Sequence, residues 1–259
     1  GYQLNRRPVG LILRSRQEWP WTSAYTVFGS IESDLAATVD RLRHMTYASV
    51  SLGPFGLAPT VRRRAERGDL SVSPVGGSAI IAGLCRQAGR GAMAGRPLDP
   101  MDGPPLSARG DAVPARQVGG TVLLHVPFAN PDTGYAWGYG PGLDHLFASA
   151  ARKLVVSYDV AVAIPPALPN SFVIPPDGIT ELVHLPYGAF PSSSWPLYRT
   201  AAPFLAEYVR RSQDPTWTRD LPSSPVDLLN EHLTGRDKTA MVLRVCPQSR
   251  QLARIAGLS

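Results

Sequence analysis

The sequence predicts an α/β layered fold, built on an open, largely parallel sheet flanked by helices. Strand-like and helix-like patterns alternate along the chain, which is typical of parallel strands joined by helices. Two of the strand-like segments, 122–126 and 154–158, are nearly continuous apolar runs, as expected for strands buried on both faces. No internal repeat or sharp change of composition divides the 259 residues, so we expect a single domain over 1–259.

The first half of the chain shows helix and strand patterns separated by turn residues. Apolar residues that recur every three or four positions predict helices, and short β-branched or aromatic runs closed by Gly, Pro or Ser predict strands. In order, these segments are a helix at 7–16, a strand at 25–28, a helix at 34–43, a strand at 47–52, an arginine-rich helix near Pro59, a strand at 70–72 and a small-residue helix at 79–94.

The second half continues the alternation after an irregular stretch. Residues 96–117 are rich in Pro, Gly and Asp and predict a long irregular excursion, a feature that is often functional in compact domains. The segments that follow are a strand at 118–126, a polar and aromatic loop at 130–138, a helix at 144–153, strands at 154–158 and 179–185, and a helix at 204–211. Residues 209–259 are less clearly patterned and are interpreted as a C-terminal extension of the same domain.

The charge distribution bears on the kind of partner. The formal net charge is +6, and the arginines are scattered apart from the cluster at 62–64. This balance is compatible with a solvated basic surface or with a phosphorylated small-molecule ligand. The chain lacks the alternation of aromatic and basic residues found in single-strand binding platforms, so no nucleic-acid partner is expected.

Apolar runs and cysteines bear on the cellular compartment. No apolar run has the length of a membrane span, so no membrane partner is expected. Cys85 and Cys246 are too few for a disulfide framework and lack a metal-ligand spacing, which predicts no metal site and a cytoplasmic location. Because the chain begins with Gly1 rather than Met, its natural start is expected to be absent.

Four stretches carry motifs of one known family, in the order found there. They are the segment from Gly56-Leu57-Ala58-Pro59 to Gly68, the run Leu123-Leu124-His125-Val126 with Ala129, Asp132 and Gly134 behind it, residues 150–157, and residues 183–193. They resemble the alpha subunit of glutaconate-type, family I coenzyme A (CoA) transferases. The resemblance covers roughly residues 4–208.

The resemblance implies a CoA-transferase-like fold of the NagB/RpiA type, a homologous beta subunit that serves as the partner, and an active site at their interface. In this family a glutamate, normally on the beta subunit, attacks the acyl-CoA and forms a mixed anhydride with its acyl group; the released CoA thiolate then attacks the glutamyl carbonyl, which gives a glutamyl-CoA thioester and the free acid. The catalytic nucleophile is therefore expected on the partner, and CoA is expected as a substrate rather than a permanently bound cofactor. The family's first strand is expected to be missing here, with 1–8 as its remnant.

Three of the predicted strands end in loops rich in Gly and Ser. Ligands gather at the carboxyl ends of strands in open α/β sheets, and backbone N–H groups in such loops can stabilise an oxyanion. The candidate substrate-binding residues are Gly29, Ser30, Ser51, Gly53, Gly76, Gly77 and Ser78. The alternative is a set of ordinary strand-to-helix turns, with Ser78 as a helix N-cap.

Other residues with reactive side chains are assigned structural roles. Glu66 is expected to be a solvated residue at the end of a helix, and Cys85 a buried structural thiol. His125 and His184 lie on apolar strands and are expected to be hydrogen-bonded core histidines. The serines at 192–194 predict a turn, with a substrate or partner contact as the alternative.

The leading hypothesis is the alpha subunit of a CoA-transferase-like enzyme that acts on a carboxylic acid and its CoA thioester. One alternative keeps the fold and changes the reaction to hydrolysis, decarboxylation or ring opening of a CoA thioester. A second alternative is a non-catalytic structural subunit.

Overall fold

Helices and strands alternate in the computed structural model of the chain, which describes residues 2–5, 8–88, 120–139, 143–164, 171–186 and 202–232. The strands are β1 (Tyr2–Asn5), β2 (Ser23–Gly29), β3 (His44–Val50), β4 (Ser71–Pro74), β5 (Thr121–Ala129), β6 (Ala136–Tyr139), β7 (Lys153–Ala161), β8 (Ser171–Ile174) and β9 (Glu181–His184). The helices are α1 (Val9–Ser15), α2 (Ile31–Ala36), α3 (Pro59–Glu66), α4 (Gly77–Ala88), α5 (Leu143–Ala150), α6 (Ala202–Arg211), α7 (Pro215–Arg219) and α8 (Pro225–His232).

The strands of the described residues form one sheet that is mainly parallel. Seven strands run parallel in the order β4-β3-β2-β1-β5-β7-β9. β6 pairs antiparallel with the last two residues of β5, and β8 pairs antiparallel with β6. This confirms the predicted open, largely parallel α/β sheet. The strand order reverses between β1 and β5, which is where ligands bind in many sheets of this kind.

Residues 2–5 form the strand β1, whereas the sequence predicted only the remnant of a strand at 1–8. β1 lies in the middle of the sheet, with Tyr2 opposite Ala24 of β2 on one side and opposite Thr121 of β5 on the other. A strand of four residues is too short to show a clear pattern in sequence. Its identity depends on backbone pairing to two neighbours that are distant in the chain.

Two apolar clusters cover the two faces of the sheet. On β5, Leu123 belongs to the cluster that contains Phe204 of α6. The adjacent Val122 belongs to the other cluster, with Leu84 of α4 and Phe147 of α5. Successive residues of a strand point to opposite faces, so both faces of the central strands are buried. This burial explains the continuous apolar runs in the sequence.

The second helix is shorter than its sequence pattern predicts. α2 ends at Ala36, and β3 already begins at His44, whereas the pattern predicted a helix at 34–43. The Thr38 side chain donates a hydrogen bond to the Leu35 carbonyl at 2.7 Å, and the Thr38 N–H bonds the same carbonyl at 3.0 Å. Such side-chain hydrogen bonds compete with helix continuation, and the chain turns here.

The sequence pattern also missed four short elements. β6 lies within the predicted loop at 130–138, where the Asn130 N–H donates to the Tyr135 carbonyl at 2.8 Å and closes the turn. β8 was not predicted, and α7 and α8 lie within the weakly patterned C-terminal segment. Elements of four to eight residues provide too few positions for periodicity to show. The predicted excursion at 96–117 and residues 233–259 lie outside the described residues.

Asp34 of α2 joins three helices through a buried carboxylate. One oxygen, Oδ1, accepts hydrogen bonds from the N–H groups of Thr60 at 2.6 Å and Val61 at 3.0 Å, in the first turn of α3. The other, Oδ2, accepts a 2.6 Å hydrogen bond from the hydroxyl of Tyr208 on α6. Burial raises the pKa of Asp34, and these hydrogen bonds oppose that shift. A carboxylate at a helix N-terminus also interacts favourably with the helix dipole.

Arg64, in the arginine cluster of α3, is a core residue. Its Nε donates to Asp69 Oδ1 at 2.8 Å. Its Nη1 donates to the carbonyls of Ala37 and Val39, each at 2.9 Å, and its Nη2 to the carbonyl of Leu42 at 2.8 Å. The guanidinium therefore holds the connection between α2 and β3 against α3.

Candidate active site

The predicted site residues lie at one edge of the sheet, where the parallel strands β2, β3 and β4 end. Gly29 and Ser30 follow β2, Ser51 and Gly53 follow β3, and the segment 76–78 follows β4 at the start of α4. The structure therefore brings the three loops to one side of the molecule. We refer to this side as the carboxyl edge.

The loops after β2 and β3 are in direct contact. The Ser51 N–H donates to the Gly29 carbonyl at 3.1 Å, and Gly29 pairs with Val50 in the sheet. A Cβ atom on Gly29 would lie 2.4 Å from Ser33 Oγ and 2.9 Å from Val50 Cγ2. The absence of a side chain at Gly29 is therefore required for this packing.

The loop after β4 reaches over the other two strands. β4 pairs with β3 only as far as Pro74, opposite Tyr47, and the chain then enters α4. A Cβ on Gly77 would lie 3.6 Å from both Ala48 Cβ and Val27 Cγ1. The N-terminus of α4 therefore packs against β2 and β3 close to where these strands end.

Glu32 is a buried carboxylate at this edge that the sequence analysis missed. Its side chain lies in the first turn of α2, and the residue is 1% exposed. Its Oε1 accepts hydrogen bonds from the Ser30 N–H at 2.7 Å and from the Ser33 hydroxyl at 3.1 Å. The signal in the sequence is an acidic residue two positions after a strand-ending Gly-Ser pair, although the ordinary capping box has a spacing of three.

In two of the predicted loops, a backbone N–H group is already hydrogen-bonded to a nearby side chain. The Ser30 N–H is bonded to Glu32, and the Gly53 N–H donates to Ser51 Oγ at 3.2 Å. Gly53 has a φ of +63°, in the left-handed region that glycine adopts without strain. These loops are therefore internally hydrogen-bonded turns that set the shape of the edge.

The third loop offers free donors. α4 begins at Gly77, so Ser78 lies in the first turn and is not the N-cap that the alternative interpretation expected. The N–H groups of Gly76, Gly77 and Ser78 have no hydrogen-bond acceptor among the residues that the structure describes. N–H groups at a helix N-terminus attract anionic oxygens, so this loop could hold a thioester carbonyl as it gains negative charge.

His125 is a hydrogen-bonded core histidine, as predicted. Its Nδ1 lies 2.9 Å from Ser157 Oγ, and its Nε2 lies 3.1 Å from Asp159 Oδ2. These residue types are those of a hydrolytic triad, but Ser157 is fully buried and cannot reach a substrate. The cluster therefore joins β5 to β7.

His184 is not the core residue that the sequence predicted. It is exposed at the end of β9, where Nε2 lies 3.0 Å from the Asp159 carbonyl and the ring stacks on Tyr158 with centroids 5.0 Å apart. The preceding residue, Val183, is buried, and the exposure of His184 follows from its place as the last residue of the strand. An apolar run in sequence does not reveal where a strand ends.

Cys85 is exposed on α4, which corrects the expected buried position. Partial burial around the thiol raises the pKa of Cys85, the opposite of what an activated nucleophile needs. Glu66 pairs with Arg62 at 2.7 Å on the exposed surface of α3, as expected for a solvated helix end. The serines at 192–194 lie outside the described residues.

Two further properties concern the described ranges as a whole. No three His, Cys, Asp or Glu side chains in these ranges are arranged to hold a metal ion. Among the same residues, none of the helices combines the length and the apolar character needed to cross a lipid bilayer.

The similarity of this sheet and its flanking helices to solved structures shows a CoA-transferase-like fold. Glutaconate CoA-transferase from Acidaminococcus fermentans has a similar structure, with a TM-score of 0.66 and 19% sequence identity over 89% of this chain and 85% of that chain. A variant of the decarboxylase AibA/AibB is also similar, with a TM-score of 0.62 and 17% identity over 85% of this chain and 91% of that chain. No protein-family model and no curated protein matches the sequence significantly.

Proposed function

We propose that this chain is the alpha subunit of a CoA-transferase-like enzyme that acts on a carboxylic acid and its CoA thioester. The observation that carries the proposal is the convergence of three Gly- and Ser-containing loops on the carboxyl edge of a sheet with this fold. CoA is a substrate in this proposal, and the reaction takes place at an interface with a homologous beta subunit.

The chemistry of the carboxyl edge fits an auxiliary role in acyl transfer. The free N–H groups of the segment 76–78 supply the donors that an oxyanion needs. In the loop segments 29–33, 51–57 and 74–78, the one carboxylate is Glu32, and it is buried against Ser30 and Ser33. A buried carboxylate cannot attack a thioester, which fits a nucleophilic glutamate supplied by the partner.

Exposed apolar side chains at the same edge support the proposal that a partner subunit binds there. Phe28, next to the end of β2, is 66% exposed, and Leu57, which forms a bridge with Ser51 after β3, is 63% exposed. Large apolar side chains at the rim of a polar loop region are typical of protein interfaces. The solved structures that share this fold include a two-component enzyme, AibA/AibB.

A decarboxylase reaction on the same fold is the second candidate. It is favoured by the loop at 73–78, which carries no carboxylate, and by the similarity to the decarboxylase AibA/AibB. Hydrolysis and ring opening of a CoA thioester belong to the same alternative. A non-catalytic structural subunit is the third, and the free donors of the third loop argue against it.

Trapping the acyl-enzyme tests the proposal. The chain is co-expressed with the product of its genomic neighbour, incubated with an acyl-CoA, treated with borohydride or hydroxylamine and examined by mass spectrometry. We expect a modified glutamate on the neighbour and no adduct on this chain.

Other outcomes distinguish the alternatives. A stable complex that releases CO2 and converts the acyl-CoA into a shorter acyl-CoA, with the thioester bond intact and without an adduct, would favour the decarboxylase. An adduct on Glu32 of this chain would contradict the assignment of the nucleophile to the partner. A stable complex that neither converts any acyl-CoA nor forms an adduct with it would favour the structural subunit.

A further inference from the structure

A polar cavity lies toward the opposite edge of the sheet, where β3 and β4 begin, which we call the amino edge. The cavity is partly open to solvent, has a volume of about 300 Å³ and is lined by residues in or next to α3 and α7 and by the connection between α2 and β3. Five arginines line it, Arg43, Arg63, Arg64, Arg67 and Arg219. We refer to it as the arginine pocket.

The arginine pocket carries an excess of positive charge. Its acidic lining residues are Asp40 and Asp69, so two carboxylates face five guanidinium groups. Like charges around one cavity repel each other, and the repulsion is stronger where the surroundings are partly desolvated. An anion inside the cavity would remove this cost.

The walls of the pocket are fixed before any ligand arrives. Arg64 is held by three backbone carbonyls and Asp69, as described above, and Arg63 donates to the Ser212 carbonyl and to Thr60 Oγ1. Thr60 and Thr218 in the wall are buried. A site with a rigid wall loses little entropy when a ligand binds.

The remaining guanidinium groups keep donors for a ligand. Arg67 donates to Asp69 Oδ2 at 2.9 Å and Arg219 to Asp40 Oδ1 at 3.4 Å, so each uses one of its five N–H donors. The Arg43 side chain has no hydrogen bond or ion pair with any residue that the structure describes. Guanidinium forks match the oxygen spacing of phosphate groups.

We propose that the arginine pocket binds a small anion that carries more than one phosphate group. The excess positive charge suits a diphosphate better than a single carboxylate. The volume is at the lower end of the range for small-molecule sites, so it admits a compact anion. The pocket lies toward the start of β3 and β4, with Arg43 directly before β3 and Asp69 two residues before β4. None of the loop segments 29–33, 51–57 and 74–78 contributes a residue to the lining of the pocket, so its ligand does not occupy the proposed thioester site.

Calorimetric titration of the full chain with pyrophosphate tests this site. The pocket variant combines Arg43→Gln with Arg219→Gln, two exposed arginines of the cavity wall. The control combines Arg62→Gln with Arg210→Gln, which removes the same number of charges from ion pairs outside the pocket. We expect the pocket variant to weaken binding by at least about tenfold and the control by less than about twofold. Thermal unfolding checks that both variants are folded.

Three results would overturn the proposal. Equal weakening in both variants would show that pyrophosphate responds to the net charge of the chain alone. A wild-type dissociation constant above about 1 mM for pyrophosphate at physiological salt would mean that the affinity is too low for a specific binding site. The third result is a single-stranded oligonucleotide that binds more tightly than pyrophosphate and loses affinity in the pocket variant. The ligand of the pocket would then be nucleic acid rather than a small anion.

Discussion

The carboxyl and amino edges of the parallel sheet present opposite kinds of polar group. At the carboxyl edge, the groups that face outward are backbone N–H donors of the segment 76–78, and the carboxylate of Glu32 is buried. At the amino edge, the groups are the charged guanidiniums of the arginine pocket. The two ends of the same strands are therefore suited to different ligands.

The difference follows from what each kind of donor can stabilise. A thioester carbonyl is neutral in the ground state and gains negative charge during acyl transfer. Fixed neutral dipoles stabilise that developing charge without binding the ground state strongly. Full positive charges bind anions that are charged at all times. We therefore expect reaction chemistry at the carboxyl edge and binding alone at the amino edge.

The largest effect is expected when the amino edge loses its central arginine. Arg64→Ala leaves three backbone carbonyls and Asp69 without their donor in a buried place, so we expect a loss of about 3–5 kcal/mol in the free energy of unfolding. Urea unfolding followed by circular dichroism measures it. Arg62→Ala, on the exposed face of the same helix, is the control and should leave stability unchanged. Equal losses in the two variants would contradict the assigned role of Arg64.

A smaller effect is expected at the hydrogen bond that ties α6 to both α2 and α3. Tyr208→Phe leaves Asp34 Oδ2 without this donor, which should cost about 1–3 kcal/mol at pH 8. Burial, and then the nearby charge of Asp34, raises the pKa of Tyr208 well above its usual value. The hydroxyl thus keeps its proton in the folded state where an unfolded tyrosine ionises, near pH 10.

The sign of the pH dependence follows from this shift. Stability from the Tyr208 hydroxyl is fully present below about pH 10 and is lost as the pH rises above it, because only the unfolded state releases the proton. The Tyr208→Phe variant has no hydroxyl at this position and cannot show this loss. The stability gap between wild type and variant should therefore shrink between pH 8 and pH 10.5 in urea unfolding. A gap that stays constant over this range would argue against the buried hydroxyl. Tyr25 and Tyr158 are present in both proteins, so their ionisation affects both stabilities equally and cancels in the difference.

The carboxyl edge could be predicted from sequence because its signals are local. Gly29-Ser30, Ser51 and Gly76-Gly77 each follow a strand pattern, and the parallel sheet places the ends of its strands together. Local pattern does not show which donors are free. The Ser30 N–H is used by Glu32, and the Gly53 N–H by Ser51, while those of 76–78 are not.

The amino edge could not be predicted, since its contacts join distant parts of the chain. Arg64 bonds carbonyls 22 to 27 residues away in the sequence. In the sequence, Arg64 cannot be told from its exposed neighbour Arg62. β1 was missed for the same reason, since its strand character depends on two distant partners.

The smallest change in stability, and the sharpest test of the carboxyl edge, is expected from two neighbouring glycines. A Cβ on Gly76 would lie 3.5 Å from Ser78 Oγ, and Gly76 is exposed, so the methyl group of Gly76→Ala points into the space proposed for the thioester. A Cβ on Gly77 would instead face Ala48 and Val27 inside the protein, at an ordinary contact distance. Both variants keep their N–H donors, and each should change the free energy of unfolding by less than about 1 kcal/mol.

Activity should separate the two variants. In the complex with the partner, we expect Gly76→Ala to lower kcat/KM by at least about tenfold, which is about 1.4 kcal/mol in the transition state. Gly77→Ala should remain close to wild type, because its methyl group points away from the edge. Steady-state kinetics with the same acyl-CoA measure both. If the two variants lose activity equally, or neither does, the reacting carbonyl does not approach the first turn of α4, and the free donors there would serve another ligand.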